Sequence, residues 1–431
     1  MRINRVRRVV LWIVLLGVGL SGMLLVYNLP PVQERLAWRV SQLQAQLKYA
    51  ISPPEEAVFT PDATLAAVVQ STLEAYTPTT TATPDLGPSP TATLTPTSTP
   101  EPTPLPAQVQ LNGIRHEYQK WNNCGPANLS MALSYWDWEG DQRPIASYVK
   151  PNPRDKNVMP YELASFVENE TNLRIISRVG GTMDTLKAFL AAGFPVIVEK
   201  GFEGSGFDGW MGHYEVVTGY DDAKQKFTVQ DSYIMANMPL DYAEMLNYWR
   251  HFNYTYLVIY PSEREQEVLD LLGPHADETY NTQMAAELAS VEIFQTSGRD
   301  QFFAWFNRGT NLVRLDDYAG AAMAYDEAFK IDAQLASSDP DARPWRIMWY
   351  QTGPYWAYYY TGRHYDVMNL ANFTIENMSE PAVEESFYWR ALAREALGDL
   401  DGAIQDYKRA LQWHPDWVLA QAQLDRLGVD F

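Results

Sequence analysis

The chain has a single cysteine, Cys124, in 431 residues. One thiol excludes an internal disulfide framework and a thiolate metal cluster, and no metal or cofactor is expected. Positive charge is also scarce: 33 Lys and Arg stand against 53 Asp and Glu, for a net charge of −20. Seven of those basic residues lie within the first 50 positions beside one Glu, so the rest of the chain is acidic. An acidic body argues against nucleic acid as a partner. A phosphate loop is missing as well. Gly201, Gly204, Gly206, Gly209 and Gly212 form a glycine-rich stretch, but no Lys-Ser or Lys-Thr follows it. That stretch reads as a mobile flap or a long hairpin connection leading to His213.

What the chain does have is ample aromatic content, with 14 Trp, 26 Tyr and 16 Phe. It can bury substantial cores, and its length predicts two or three folded units. At the N-terminus, Arg2, Arg5, Arg7 and Arg8 precede an uncharged run from Val9 to Tyr27. About 19 apolar residues are enough for a helix to cross a bilayer. The arginines place the N-terminus in the cytoplasm and the remainder outside. No small-x-small cleavage site follows, which favours an uncleaved signal anchor over a signal peptide. Residues 77–106 contain 11 Thr and 9 Pro without apolar periodicity, the composition of an extended spacer.

This gives four regions. Residues 1–30 are a basic tip and transmembrane signal anchor, and 31–106 a juxtamembrane helix with a Thr/Pro-rich stalk. Residues 107–262 form an α+β domain with N-terminal helices and an antiparallel sheet. Within it, helical and loop patterns run to about residue 176. Thr182 caps a helix that stops at Gly193, and strands follow at 194–199, 214–220, 226–231 and 255–260. Residues 263–431 form an all-α region. There Trp305, Gly309, Tyr318, Ala321, Tyr325 and Ala328 recur as Phe387, Ala391, Leu400, Ala403, Tyr407 and Ala410. This is the spacing of tetratricopeptide helix pairs, with a degenerate third copy at 353–377 and a preceding pair near 269–291.

Cys124 opens an apolar helix-like run, where unpaired N–H groups and the helix dipole favour the thiolate. A nucleophilic thiol needs a partner that takes and returns a proton, a role suited to His. Of six histidines, His116, His251, His275, His364 and His414 lack a carboxylate placed opposite by local sequence. His213 heads a strand, and a hairpin about the turn at 221–225 brings Asp231 or its neighbour opposite it. The same pair also fits an ordinary surface contact at a hairpin end. A side-chain amide upstream of Cys124 would complete an oxyanion site, with Gln119 favoured over Asn123.

The blocks Gln119 … Asn123-Cys124-Gly125-Pro126-Ala127, Gly193-Phe194-Pro195-Val196-Ile197-Val198, Gly212-His213-Tyr214-Glu215-Val216-Val217-Thr218-Gly219-Tyr220-Asp221 and Val229-Gln230-Asp231-Ser232 occur in this order. Together they resemble the bacteriocin-processing (double-glycine leader) peptidase family, a papain-like group of cysteine peptidases, over roughly residues 107–262. The resemblance implies Cys124 as nucleophile, His213 as general acid and base, Asp231 as orienting residue and Gln119 as oxyanion donor. Gln119 stands five residues before Cys124, where papain-like enzymes usually place it six before. No transporter domain is attached, so the double-glycine leader substrate does not carry over.

The resulting expectation is a membrane-anchored, extracytoplasmic cysteine peptidase acting on a peptide or protein, with repeats that recruit a protein partner. A non-catalytic scaffold on the same fold and a thiol acyltransferase are the alternatives.

Overall fold

A computed structural model describes residues 104–431 apart from 153, 204–208 and 379–380, together with 59–64, 67 and scattered positions between 12 and 27. The expected juxtamembrane helix and most of the Thr/Pro-rich stretch lie outside the described residues, as does much of the 9–27 segment. Among the described residues no helix is long and apolar enough to cross a membrane.

The first folded unit is a seven-stranded antiparallel sheet flanked by helices. Its strands are β1 (Gln108–Gln110), β2 (Leu173–Arg178), β3 (Val196–Phe202), β4 (Met211–Asp221), β5 (Lys226–Gln230), β6 (Met238–Asp241) and β7 (Tyr256–Pro261). They are ordered β2-β7-β3-β4-β5-β6, with β1 pairing β4 from outside this path. The helices are α1 (Cys124–Ser134), α2 (Gln142–Val149), α3 (Pro160–Glu170), α4 (Met183–Ala191) and α5 (Tyr242–Trp249). Helix α1 is buried from Gly125 to Leu133, which is why its apolar residues cover no single face. It lies on the sheet face that carries Ile197, Tyr214 and Val216, while α4 and α5 cover the face carrying Val198, Val217 and Tyr256.

The expectation of helix and loop up to residue 176 misses β1 and β2, and β6 was not anticipated. Strand β2 reads Leu-Arg-Ile-Ile-Ser-Arg, without clean alternation, and gains its order from six paired positions on β7. Strand β6 contains Pro239, which the sheet tolerates because β6 is the last strand of the order. Helix α4 follows the sequence pattern closely. Thr182 Oγ1 accepts from the Thr185 N–H, and Gly193 takes φ +85° just beyond the helix.

The second unit is helical: α6 (Glu265–Leu272), α7 (Glu278–Gln295), α8 (Gly298–Arg314), α9 (Tyr318–Ser338), α10 (Gly353–Tyr360), α11 (His364–Glu376), α12 (Glu384–Ala396), α13 (Leu400–Trp413) and α14 (Val418–Arg426). The helix pairs α8/α9, α10/α11 and α12/α13 fall at the positions of the three expected copies. In the outer two the same turn recurs: the Asp317 carboxylate accepts from the Gly320 N–H, and Asp399 accepts from Gly402. Gly309 is small for a physical reason, since a Cβ there would stand 2.7 Å from the Tyr325 ring.

The two units share one core. Trp210 and Phe252 of the sheet unit cluster with Phe302, Phe303 and Tyr350 of the helical unit. Trp210 stacks on Phe252 at 5.7 Å, and Tyr350 meets it edge-on. Polar contacts surround this core. Arg346 donates to the Trp210 carbonyl (2.8 Å), Asn253 to Asn311 (2.7 Å), Asn307 to the Arg250 carbonyl (2.7 Å) and Gln351 to the His251 carbonyl (2.8 Å). These contacts explain two glycines. A Cβ on Gly201 would meet His251 and Trp210, and one on Gly212 would fall 2.6 Å from Phe252 and 2.8 Å from Tyr350. The glycine-rich stretch is therefore fastened at its Trp210 end, and the pairing of Gly201 with Gly212 and Phe202 with Met211 makes it the long hairpin connection of the two expected readings; residues 204–208 lie outside the described residues.

Candidate active site

Cys124 is the first residue of α1, partly buried, with the left-handed Asn122 (φ 51°) two residues before it. The turn is held from below. The Lys150 ammonium donates to the Trp121 and Asn122 carbonyls and to Asn123 Oδ1, at 3.2, 3.1 and 3.0 Å. Burial pushes the Lys150 pKa down to about 8, against the pull of Asp155. Asn123 Nδ2 donates to Gln142 (3.2 Å), so this side chain is committed to the turn. Of the two amides weighed for an oxyanion site, Gln119 is the one left.

His213 lies on β4 opposite Lys200 of β3, and its Nε2 is 3.3 Å from Asp231 Oδ2. The contact is an ion pair, and neither atom has a hydrogen-bond partner among the described residues. Asp231 is fixed by the Tyr233 and Ile234 N–H groups, each 2.7 Å from its Oδ1. With Nε2 turned to Asp231, Nδ1 is the ring nitrogen left to serve Cys124, whose pKa His213 draws down.

A β-bulge decides this geometry. From Asp221↔Lys226 to Gly219↔Thr228 the β4–β5 pairing is regular, and it then slips by one residue to Val217↔Val229 and Val216↔Gln230. Without the slip, continuing the ladder would put Asp231 opposite Val216, on the face His213 does not use. With it, Asp231 continues opposite Glu215, which shares the face of His213. The contact is thus a diagonal one across Glu215, not the directly opposed pair expected from the hairpin pattern.

The charges follow from the packing. Burial raises the Cys124 pKa, but the His213 hydrogen bond and charge, with the Tyr214 and Gly125 N–H groups, outweigh it and the net shift is downward. Burial disfavours the His213 imidazolium, yet Asp231 and Cys124 push its pKa up to about 10. Asp231 is held well below the usual carboxylate range: burial opposes, and His213 and the Ile234 N–H prevail. A thiolate–imidazolium–carboxylate set is the protonation state these shifts favour.

Three further residues escaped the sequence reading. Asn128, one turn into α1, donates to the Cys124 carbonyl (2.9 Å), the Tyr214 carbonyl (2.6 Å) and Ser232 Oγ (3.0 Å). It ties the thiol helix, the His strand and the Asp loop together. Ser232 Oγ donates to Gln119 Oε1 (2.8 Å), and the Gln119 N–H donates to the Ser232 carbonyl (2.8 Å). With its oxygen engaged, the Gln119 carboxamide has its NH2 as the remaining donor end. The third is Glu215, fully buried, whose pKa is raised by burial to about 7 against Lys200, 2.9 Å away. His213, Glu215 and Asp231 bring ligand-type atoms within 4.8 Å of one another, and Lys200 supplies positive charge beside them. The two-residue step from His213 to Glu215, and the Ser after Asp231, were the signals available in sequence.

The other histidines are elsewhere. His251 is buried at the unit interface, stacked 3.9 Å from Phe303 and accepting from Trp210 Nε1, with its pKa driven well down by burial. His116 Nδ1 lies 3.2 Å from Gln230 Oε1, and His414 Nδ1 lies 2.8 Å from Glu384.

Replacing Asp231 by Asn removes the charge that holds up the His213 pKa. Thiolate at Cys124 should then fall, and its alkylation at pH 6 should slow by roughly tenfold. Stopped alkylation with mass detection would check this, and an unchanged rate would count against the role of Asp231.

The sheet-and-helix unit thus sets a thiol at a helix mouth near a buried His and Asp. In comparison with known proteins, residues 103–257 match the Peptidase_C39 like family model, and 384–416 match a tetratricopeptide repeat. A chain solved from Bacillus anthracis, provisionally described as a C39-like peptidase, is similar at 15% identity with a TM-score of 0.29. That similarity covers 35% of this chain and 96% of the other. No curated protein matches.

Proposed function

We propose that the chain is a cysteine peptidase, a thiol amide hydrolase that acts on a peptide or protein substrate. What supports this reading is the buried contact of His213 Nε2 with Asp231 Oδ2 at 3.3 Å, together with the lowering of the Cys124 pKa by His213. In the first step the Cys124 thiolate attacks the substrate carbonyl carbon. The oxyanion is met by the Cys124 N–H and the Gln119 carboxamide. His213 then gives its proton to the leaving amine, forming a thioester. Water, deprotonated by His213, hydrolyses the thioester and restores the thiolate. An amine entering in place of water would give acyl transfer from the same intermediate.

The helical repeats are proposed to recruit a protein or peptide partner. The Arg-flanked apolar run at 9–27 is proposed as a single-pass anchor, with the folded units outside the cytoplasm.

Incubating the protein with a peptide library is the test. Cleavage that disappears in Cys124→Ala supports the proposal. Partner binding retained in Cys124→Ala, with no turnover by either form, would favour a scaffold on the same fold. For any peptide that is cleaved, Gln119→Ala should lower kcat by about 10²–10³ while leaving Cys124 alkylation near the wild-type rate. Equal loss in both assays would remove Gln119 from the oxyanion site.

A further inference from the structure

Phe59-Thr60-Pro61-Asp62 lies far from the folded units in sequence, yet it packs on the helical one. Phe59 is only 5% exposed and belongs to the core that contains Phe329, Tyr358 and Val367. Its ring meets Phe329 of α9 edge-on at 4.9 Å and lies 6.1 Å from Tyr358 of α10. The Asp62 N–H donates to Asp366 Oδ1 of α11 at 3.1 Å.

The receiving groove is assembled from its own contacts. Arg363, 1% exposed, holds Asp326 through Nη1 (2.8 Å) and Nη2 (3.0 Å), and Asp366 Oδ2 through Nε (2.8 Å). Tyr358 donates its hydroxyl to Asp326 (2.9 Å). This leaves Asp366 Oδ1 oriented toward a backbone donor beside an apolar slot.

The segment suits that groove. Pro61 restricts its own φ and biases Thr60 to an extended backbone, and Asp62 Oδ1 accepts from the Thr64 N–H (2.8 Å) to start a turn beyond the contact. The other end of the Thr/Pro-rich stretch is also fixed. The Tyr220 hydroxyl donates to the Pro106 carbonyl (2.6 Å), and the Asp222 N–H to the Ala107 carbonyl (2.9 Å).

We propose that the groove between α9, α10 and α11 is a peptide-binding site whose ligand is this chain's own Phe59-Thr60-Pro61-Asp62. The sequence between is then tethered to the folded body on both sides, at 59–62 and at 106–107. The roughly 40 residues between the two fixed points, at about 3.1 Å per residue when extended, reach far enough for either end to dock without strain.

The test places p-benzoylphenylalanine at the exposed Thr60 of the full-length protein, with and without Phe59→Ala, and maps photo-cross-links by mass spectrometry. The expected product is an intramolecular cross-link to α9, α10 or α11, with a yield independent of protein concentration and at least tenfold lower in Phe59→Ala. Phe59→Ala should leave the Cys124 alkylation rate unchanged, which shows that the body remains folded. Absence of a cross-link to these helices, insensitivity to Phe59→Ala, or products only between two chains would each overturn the proposal.

Discussion

Replacing His213 by alanine is expected to slow alkylation of Cys124 by iodoacetamide at pH 6 by roughly 100-fold. The reason is arithmetic on the thiolate. An unperturbed thiol with a pKa near 8.5 is only about 0.3% ionised at pH 6. In the intact protein His213 contributes both the hydrogen bond and the positive charge that pull the Cys124 pKa down against burial. Without it only the Tyr214 and Gly125 N–H groups oppose burial, and the thiol becomes harder to ionise.

The same shifts define a pH window. The pair is fully charged above the lowered Cys124 value and below about 10, where His213 loses its proton. A rate of alkylation by wild type that simply tracks a free thiol would count against the assignment. The sign for stability is separate. The raised His213 pKa contributes stability fully present below its unfolded value near 6.5 and lost as pH climbs through about 10. The depressed Asp231 pKa contributes stability present above about 3.9 and lost on acidification through its folded value.

Trp210→Ala is expected to cost about 3–5 kcal/mol, the usual range for a fully buried tryptophan. Trp210 is wholly inaccessible and touches Phe252, Phe303, Tyr350 and His251, so it fills the seam between the two units. It also stands three residues before His213 and adjoins β4. Two readouts should move together: the thermal midpoint should fall, and Cys124 alkylation should slow as the start of β4 loosens. A lowered midpoint with unchanged Cys124 reactivity would show that the seam supports stability but not the site.

Much of the site was legible because its signals are local. A lone thiol before an apolar run, a His at a strand head and an Asp after the next strand all lie within short, patterned segments. Helix α4 and strands β3, β4, β5 and β7 were likewise carried by caps and alternation close in sequence. Strand β2 was not, because Ile175 and Ile176 break the two-residue period and its order comes from β7, some 80 residues away. The packing around the glycine-rich stretch was hidden for a similar reason. Gly201 and Gly212 are small because of Trp210, His251, Phe252 and Tyr350, which reach them through the fold.

The sequence by itself determined the chemistry on offer: one thiol, its His and Asp, an amide upstream, and helix pairs with small residues facing aromatics. Only the tertiary structure decided how these meet. A one-residue bulge sets the face on which Asp231 emerges, since side chains alternate with a period of two and a single slip exchanges the faces. Asn128 and Ser232 gain their roles from hydrogen bonds spanning about a hundred residues. Phe59 gains its role from a groove assembled some 270 residues later, a distance across which no local pattern carries information.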